Sequence, residues 1–147
     1  MPKLRHIAIA TDDPDKTAEF YKKAFDFEEI GRTGYPIKPN TSYGVFLSDG
    51  TLNIAILKFG WDQIGKGLDF TGIHHFGVLV DDADAYTKRI TDLGGDCFMP
   101  KPDAARGGGT VFYEVKFRGP DGVVFDITDH PWKGCEGLPA KAPAAAE

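Results

Sequence analysis

Short apolar runs separated by turn residues dominate the chain, and helical patterns interrupt them twice. The first run, residues 4–10, is rich in branched and small apolar side chains, which predicts a strand. Thr11-Asp12-Asp13-Pro14 follows and predicts a helix start, because oxygen-bearing side chains cap helices and proline is tolerated in the first turn. The helix is predicted to end at Phe25, with Phe20 and Tyr21 on its buried face.

Three further strands are predicted after this helix. They cover residues 27–33, 43–47 and 52–57. Ser48-Asp49-Gly50 joins the last two as a hairpin, since Asp-Gly is a strong hairpin turn signal. The first part of the chain is therefore predicted to be a βαβββ unit.

The second half of the chain repeats this order. His75 lies 69 residues after His6, each histidine opens an apolar run, and an Asp-Asp pair and a helical pattern follow each run. The second unit is predicted to contain a strand from residue 73, a helix over 82–93, and strands over 96–99, 111–117 and 123–128. A repeat of this kind indicates one supersecondary unit used twice. A pseudo-twofold relation between the units would bring His6 and His75 to equivalent places.

The predicted fold class is α+β, with two βαβββ modules in tandem. We assign residues 1–132 to a single domain, with module one over 3–58 and module two over 72–130. Residues 133–147 lose the pattern and are mostly Ala and Pro towards the end, so they are expected to form a flexible C-terminal tail.

Composition and charge narrow the function. The chain has 147 residues, of which 41% are hydrophobic and 27% charged, as in globular domains. A net charge of −5 argues against nucleic acid as a partner, and no apolar run approaches the roughly 20 residues that span a bilayer. Cys97 and Cys135 are too few for a disulfide framework, and residues 1–5 lead directly into a strand without a signal peptide. A cytoplasmic protein is therefore expected.

Several motifs resemble the vicinal oxygen chelate (VOC) superfamily, which includes glyoxalase I, extradiol dioxygenases and bleomycin resistance proteins. They are the paired opening strands, the Asp-Asp-Pro helix start, Phe20-Tyr21, and the turn Gly119-Pro120-Asp121-Gly122. The resemblance covers residues 3–130. It implies a glyoxalase-like pair of half-barrels and a homodimer.

The resemblance also implies metal ligands on the first and last strands of each unit. These positions carry His6 and His75 on the opening strands and Asp126 on the last strand of the second unit. The fourth position matches Ala55, which cannot bind a metal, and Asn53 on the same face is a poor substitute. Two imidazoles and one carboxylate form the facial triad that suits Fe(II). Fe(II) is therefore the favoured cofactor, with Ni, Zn, Mn and Co as alternative divalent ions.

Three functions remain open for a small-molecule substrate with vicinal oxygens. A dioxygenase-like metalloenzyme is favoured, although Lys116 occupies the place of a tyrosine in extradiol dioxygenases. A glyoxalase I-like lyase, isomerase or epimerase is the second hypothesis, and it needs a base other than Ala55. The third is a non-catalytic, antibiotic-resistance-type binding protein, whose cavity the 12% of aromatic residues could line.

Two further side chains are candidate catalytic residues. Tyr113 lies on a predicted strand and could serve as the missing base. Arg106 precedes three glycines, and this loop could be a lid that presents a cation to an anionic substrate; the alternative is a mobile surface loop. His74 should point to the opposite face from His75, which favours a structural role.

Overall fold

The computed structural model describes residues 1–106 and 111–135. The strands are β1 (Lys3–Ala10), β2 (Glu28–Thr33), β3 (Tyr43–Ser48), β4 (Asn53–Lys58), β5 (Gly72–Leu79), β6 (Asp96–Met99), β7 (Val115–Arg118) and β8 (Val124–Thr128), and the helices are α1 (Pro14–Phe25) and α2 (Ala83–Asp92). The α+β class and the two βαβββ units predicted from the sequence are confirmed. One predicted strand is too long at its start, because β7 begins at Val115 and residues 111–114 are irregular.

All eight strands join one sheet in the order β2-β3-β4-β1-β5-β8-β7-β6. The two units meet where β1 pairs with β5 in antiparallel orientation. Within each unit the first strand pairs in parallel with the last, β1 with β4 and β5 with β8. The centre of the sheet therefore contains the four strands that were expected to carry the metal ligands.

The strand register shows which positions of the two units are equivalent. Ala8 lies opposite Ala55, and Gly77 lies opposite Asp126. Ala8 and Gly77 are separated by the same interval as His6 and His75, so Ala55 is the counterpart of Asp126. The sequence match that left Ala55 at the fourth ligand position is confirmed.

Both helices start at the predicted aspartates. The Asp13 side chain accepts a hydrogen bond from the Lys16 backbone N–H at 3.0 Å, and Asp82 accepts one from Ala85 at 2.9 Å. The buried face of α1 differs from the prediction, because Ala18 is buried and Phe20 is 64% exposed. Side chains two positions apart in a helix point about 200° away from each other. Because the small Ala18 faces the core, Phe20 points towards solvent.

The chain after β8 returns over the first unit. Trp132 is buried, the Asn53 side chain donates a hydrogen bond to the Lys133 carbonyl at 2.9 Å, and Ser48 donates one to the Gly134 carbonyl at 2.9 Å. The expected start of the flexible tail at residue 133 is therefore too early, because residues 133–135 contact the first unit. Residues 136–147 lie outside the described part of the chain. None of the helices in the described residues is long and apolar enough to cross a membrane.

Candidate metal centre

The three predicted metal ligands converge at the centre of the sheet. His6 on β1, His75 on β5 and Asp126 on β8 are all buried, and their ligand atoms lie within 4.8 Å of one another. The Nε2 atoms of His6 and His75 are 3.2 Å apart, and His75 Nε2 lies 3.2 Å from Asp126 Oδ2. Residues from distant parts of the sequence therefore lie together where a shared site was predicted, and they could hold a metal ion.

This donor set fits a divalent metal. Two atoms that each lie about 2.1 Å from one ion are roughly 3.0–3.4 Å apart, which matches the distance between the two imidazole nitrogens. Asp126 Oδ1 and His6 Nδ1 are buried and have no hydrogen-bond partner among the described residues. Two imidazoles and a carboxylate could therefore hold an ion between the two units.

Gly77 provides the space for the carboxylate. A Cβ atom at Gly77 would lie 2.5 Å from Asp126 Oδ1 and 2.7 Å from Trp132 Cζ2. Any larger residue would displace either the Asp126 carboxylate or the Trp132 ring that packs beside it. Glycine is therefore required here by close contact.

Gly77→Ala is expected to lower the free energy of unfolding by about 1–3 kcal/mol, because overpacking of a filled interior forces side chains to move. Urea unfolding would measure the loss. Gly31→Ala is the matched strand control, since the nearest atom to a Cβ there is the flexible end of Lys133 at 3.4 Å and the next is Phe46 Cδ2 at 3.9 Å. Equal effects of the two substitutions would contradict the role given to Gly77.

Lys116 adds a cation that the sequence analysis did not place in the site. It lies on β7 opposite Asp126, and its side chain is 3% exposed. Its ammonium group donates to Asp126 Oδ2 at 2.6 Å, to Glu114 Oε2 at 2.8 Å and to His75 Nε2 at 3.2 Å. These bonds satisfy all three ammonium protons inside the protein.

Glu114 is a second charged residue of this cluster that the sequence did not single out. Its Oε1 atom accepts a hydrogen bond from Trp132 Nε1 at 2.9 Å, and the Trp132 ring stacks on His6 with a centroid distance of 5.1 Å. Residues 114 and 116 share one face of the chain, whereas Tyr113, Val115 and Phe117 are buried in the core of the second unit. Two charged residues in alternation with apolar ones were the available signal, but this pattern is also typical of a solvent-facing strand.

Burial and the neighbouring charges shift the pKa values of Asp126, Glu114 and Lys116. Burial raises the pKa of Asp126, and the nearby Glu114 charge adds to this effect. Burial would also raise the pKa of Glu114, but the Lys116 ammonium, His6 and the hydrogen bonds from Lys116 and Trp132 together lower that pKa. Burial disfavours the Lys116 ammonium, yet the charges of Asp126 and Glu114 raise its pKa above the ordinary value. Two carboxylates therefore share one stable ammonium ion.

His74 contacts His75, although strand alternation predicted that the two side chains would point to opposite faces. Its Nδ1 atom lies 2.7 Å from His75 Nδ1, and its ring stacks on Phe59 at 3.9 Å. Because Lys116 can only donate, His75 Nε2 accepts, and the proton on Nδ1 faces His74. Burial lowers the pKa of both histidines to about 3, so both are neutral. His74 thus supports the tautomer in which the His75 Nε2 lone pair points into the site.

A cavity of about 510 Å³ opens next to the cluster. His6, His75, Glu114 and Lys116 lie in its wall, together with Ala55. Five of the other lining residues are aromatic, namely Phe46, Phe59, Trp61, Phe112 and Trp132. The site can therefore present imidazole, carboxylate and ammonium groups to a small molecule held between apolar rings.

The two predicted catalytic residues are not brought to this cavity. Tyr113 is buried in the core of the second unit, because it has the opposite orientation to Glu114 along the chain. Arg106 is exposed. Its Nε atom lies 3.3 Å from Asp103 Oδ1, and its guanidinium group donates a hydrogen bond to the Lys101 carbonyl. Neither residue is among the described residues that line the cavity. The three glycines of the predicted lid lie outside the described residues.

Paired βαβββ units with a central two-histidine, one-carboxylate cluster define a class of proteins that share one site between two modules. Residues 3–127 match the model of the Glyoxalase/Bleomycin resistance protein/Dioxygenase superfamily, and the chain belongs to this family. The resemblance found in the sequence is confirmed.

Solved structures of similar fold cover most of the chain. The hypothetical protein BH1468 from Bacillus halodurans is 23% identical, with coverage of 86% of this chain and 92% of that protein and a TM-score of 0.65. Streptomyces coelicolor methylmalonyl-CoA epimerase in complex with 2-nitronate-propionyl-CoA is 23% identical, with coverage of 85% and 92% and a TM-score of 0.64. The Mycobacterium tuberculosis methylmalonyl-CoA epimerase is 20% identical, with coverage of 84% and 85% and a TM-score of 0.60. At these identities the similarity establishes the fold alone, and no curated protein sequence matches the chain.

Proposed function

We propose that this protein is a metal-dependent isomerase, epimerase or lyase that moves a proton at a carbon next to a chelating oxygen of a small molecule. The observation that carries this proposal is the carboxylate of Glu114, which lines the cavity beside His6 and His75. The main objection to such chemistry was the absence of a base at Ala55. Glu114, in the segment just before β7, supplies a proton acceptor from a different part of the fold.

His6, His75 and Asp126 would hold the metal. When bound, a divalent ion supplies Lewis acidity, which polarises the adjacent oxygens of the substrate. The lowered pKa of Glu114 keeps its carboxylate ionised at neutral pH, in the form that accepts a proton. A carboxylate of low pKa is a weak base, so the substrate C–H bond must be one that chelation strongly acidifies.

The cavity indicates the class of substrate. About 510 Å³ is the volume of an ordinary small-molecule site, and its aromatic rings suit a flat or apolar body. Vicinal oxygens on that body would face the histidines. Methylmalonyl-CoA epimerases are among the proteins of similar fold, which supports an epimerase as one form of the proposed activity.

A dioxygenase is the second candidate, and the observation that favours it is Ala55. Because Ala55 offers no ligand where the second unit has Asp126, a metal held by three side chains would keep open positions. Fe(II) is the ion that such a facial triad suits, and Ni, Zn, Mn and Co are the ions expected for isomerase or lyase chemistry. The homodimer and the cytoplasmic location stay predictions, based on the superfamily and on composition.

Hydrogen–deuterium exchange at carbon tests the proposal. The protein would be loaded separately with Fe(II), Ni, Zn, Mn and Co and incubated in D2O with small 2-oxo and 2-hydroxy carbonyl compounds, with NMR as the readout. We expect metal-dependent exchange in the wild type and a decrease of roughly 100-fold or more in Glu114→Gln, the usual size of a general-base contribution. Glu28→Gln, at an exposed position on β2, is the control.

Other outcomes would overturn the proposal in identifiable ways. Oxygen consumption by the iron-loaded protein without carbon exchange would favour the dioxygenase. Metal-free protein that cannot be reconstituted, with no exchange on any compound, would favour the non-catalytic binding protein.

A further inference from the structure

We propose that the Lys116 ammonium is the resident cation of the metal-free site, and that a divalent ion binds only when this ammonium withdraws from His75 and Asp126. The inference rests on the metal site of the proposed function and concerns how that site is loaded. Lys116 would then determine how tightly the protein holds a metal.

The Nε2 lone pair of His75 can bind either the Lys116 ammonium or a metal ion. A neutral imidazole has one nitrogen with a free lone pair, and in His75 that atom is Nε2, which accepts from Lys116 Nζ at 3.2 Å. A metal ligated by His75 Nε2 would need the same lone pair. The hydrogen bond and the metal bond are therefore mutually exclusive at this atom.

The Lys116 ammonium and a divalent ion bound to Asp126 would lie close together. Lys116 Nζ lies 2.6 Å from Asp126 Oδ2, so an ion about 2.1 Å from this oxygen would lie at most about 4.7 Å from the ammonium. Lys116 is 3% exposed on its side chain, and Asp126 is fully buried. Repulsion between a divalent ion and an ammonium at this distance is strong, because little water screens it. Metal binding therefore requires the ammonium to move.

The structure offers a place to which the ammonium can move. Glu114 Oε2 accepts from Lys116 at 2.8 Å, and both side chains line the cavity. The ammonium can keep its bond to Glu114 while it leaves His75 and Asp126. In that position it would face the cavity, where it could bind an oxyanion of the substrate.

The repeat shows that the ammonium and the acid occur together. Lys116 lies opposite Asp126 in the second unit, and Phe46 lies opposite Ala55 in the first unit. The first unit therefore has neither the carboxylate nor the cation at the equivalent positions. Lys116 neutralises a buried carboxylate that would otherwise lack a counter-charge whenever the metal is absent.

Isothermal titration calorimetry with Zn²⁺ and Co²⁺, without any substrate, would measure the affinity of the protein for each ion and so test the inference. Lys116→Met is expected to bind these ions more tightly than the wild type, because no ammonium has to leave the site first. The expected factor is on the order of 100, at about 1.4 kcal/mol for each tenfold. Lys88→Met removes the same charge from an exposed pair with Asp92 and is expected to change the affinity less than about twofold. Saturating Zn²⁺ should raise the melting temperature of Lys116→Met more than that of the wild type.

Two further variants keep the test decisive if Lys116→Met fails to fold without metal. Lys116→Gln retains a polar side chain and is expected to show the same increase in affinity. Lys116→Met combined with Asp126→Asn removes both charges, and it should fold but bind no metal at this site. Equal, tight binding by the wild type and by Lys116→Met or Lys116→Gln would overturn the inference and leave the proposed function standing. Absence of binding in all of them would overturn both the inference and the metal site.

Discussion

Asp126→Ala is expected to lower the free energy of unfolding by about 3–5 kcal/mol, the range for removal of one partner of a buried ion pair. The substitution leaves the Lys116 ammonium in a buried site with only the Glu114 carboxylate as its counter-charge. It also opens a cavity next to Gly77 and Trp132. Urea unfolding of the metal-free protein at pH 7.5, in the presence of a chelator, would measure the change.

Two variants separate the ion pair from other effects of the substitution. Asp92→Ala breaks the exposed pair with Lys88 and should cost less than about 1 kcal/mol. Asp126→Asn keeps the side-chain volume and one acceptor oxygen, so its loss should lie between those of the two alanine variants. A change below 1 kcal/mol in Asp126→Ala would show that the Lys116–Asp126 contact is not the buried ion pair described above.

Most of the fold could be predicted from the sequence because its signals are local and occur twice. Apolar runs, Asp-initiated helices and Asp-Gly turns each report on a few neighbouring residues, and the repeat confirms each assignment a second time. The error at residues 111–114 has a physical reason. Apolar side chains there extend the strand-like pattern, but the backbone before Val115 is not paired.

The site could be predicted only where the repeat or the family resemblance identifies a position. His6, His75 and Asp126 were predicted as metal ligands in this way. Glu114 was not singled out, and Lys116 was noted only as the residue in place of a dioxygenase tyrosine. The face on which both side chains lie becomes interior only when β8, β5 and β1 complete the sheet beside β7. Register across strands is a long-range property, which residue alternation within one strand does not contain.

The candidate roles of Tyr113 and Arg106 depended on the same missing information. Tyr113 was placed on a strand, but it lies in the irregular segment before β7, and its side chain is buried in the core of the second unit. Arg106 was selected for its charge and for the glycines after it, and neither property places a side chain near the ligands. His74 contacts His75 through a side-chain bond that strand alternation alone does not predict.

The metal-free protein is expected to lose stability steeply as the pH falls from 7 to 5. Burial lowers the pKa of His74 and His75 to about 3 in the folded state, whereas the value in the unfolded chain is 6.5. The unfolded chain therefore binds more protons in this interval, and acid favours unfolding. The stabilisation is fully present above pH 6.5 and is lost progressively as the pH falls from 6.5 towards 3.

The other groups of the cluster set the net size of this effect. The lowered pKa of His6 adds to it, and the raised pKa of Asp126 opposes it, because the folded protein then holds a proton that the unfolded chain releases. Each net proton is worth about 1.4 kcal/mol per pH unit, so we expect a slope of about 1.4–2.7 kcal/mol per pH unit between pH 5 and 6. Urea unfolding at pH 7, 6 and 5 with a chelator present would give this slope.

His74→Phe tests whether the buried histidines cause the slope. Phenylalanine keeps a ring against Phe59 but cannot bind a proton, so the slope should decrease by about 1.4 kcal/mol per pH unit, whatever the absolute stability of the variant. Stability that stays constant from pH 7 to 5 in the wild type would show that these imidazoles bind no fewer protons in the folded protein than in the unfolded chain. The neutral His75 tautomer, and with it the lone pair that Lys116 and a metal would share, would then have to be abandoned.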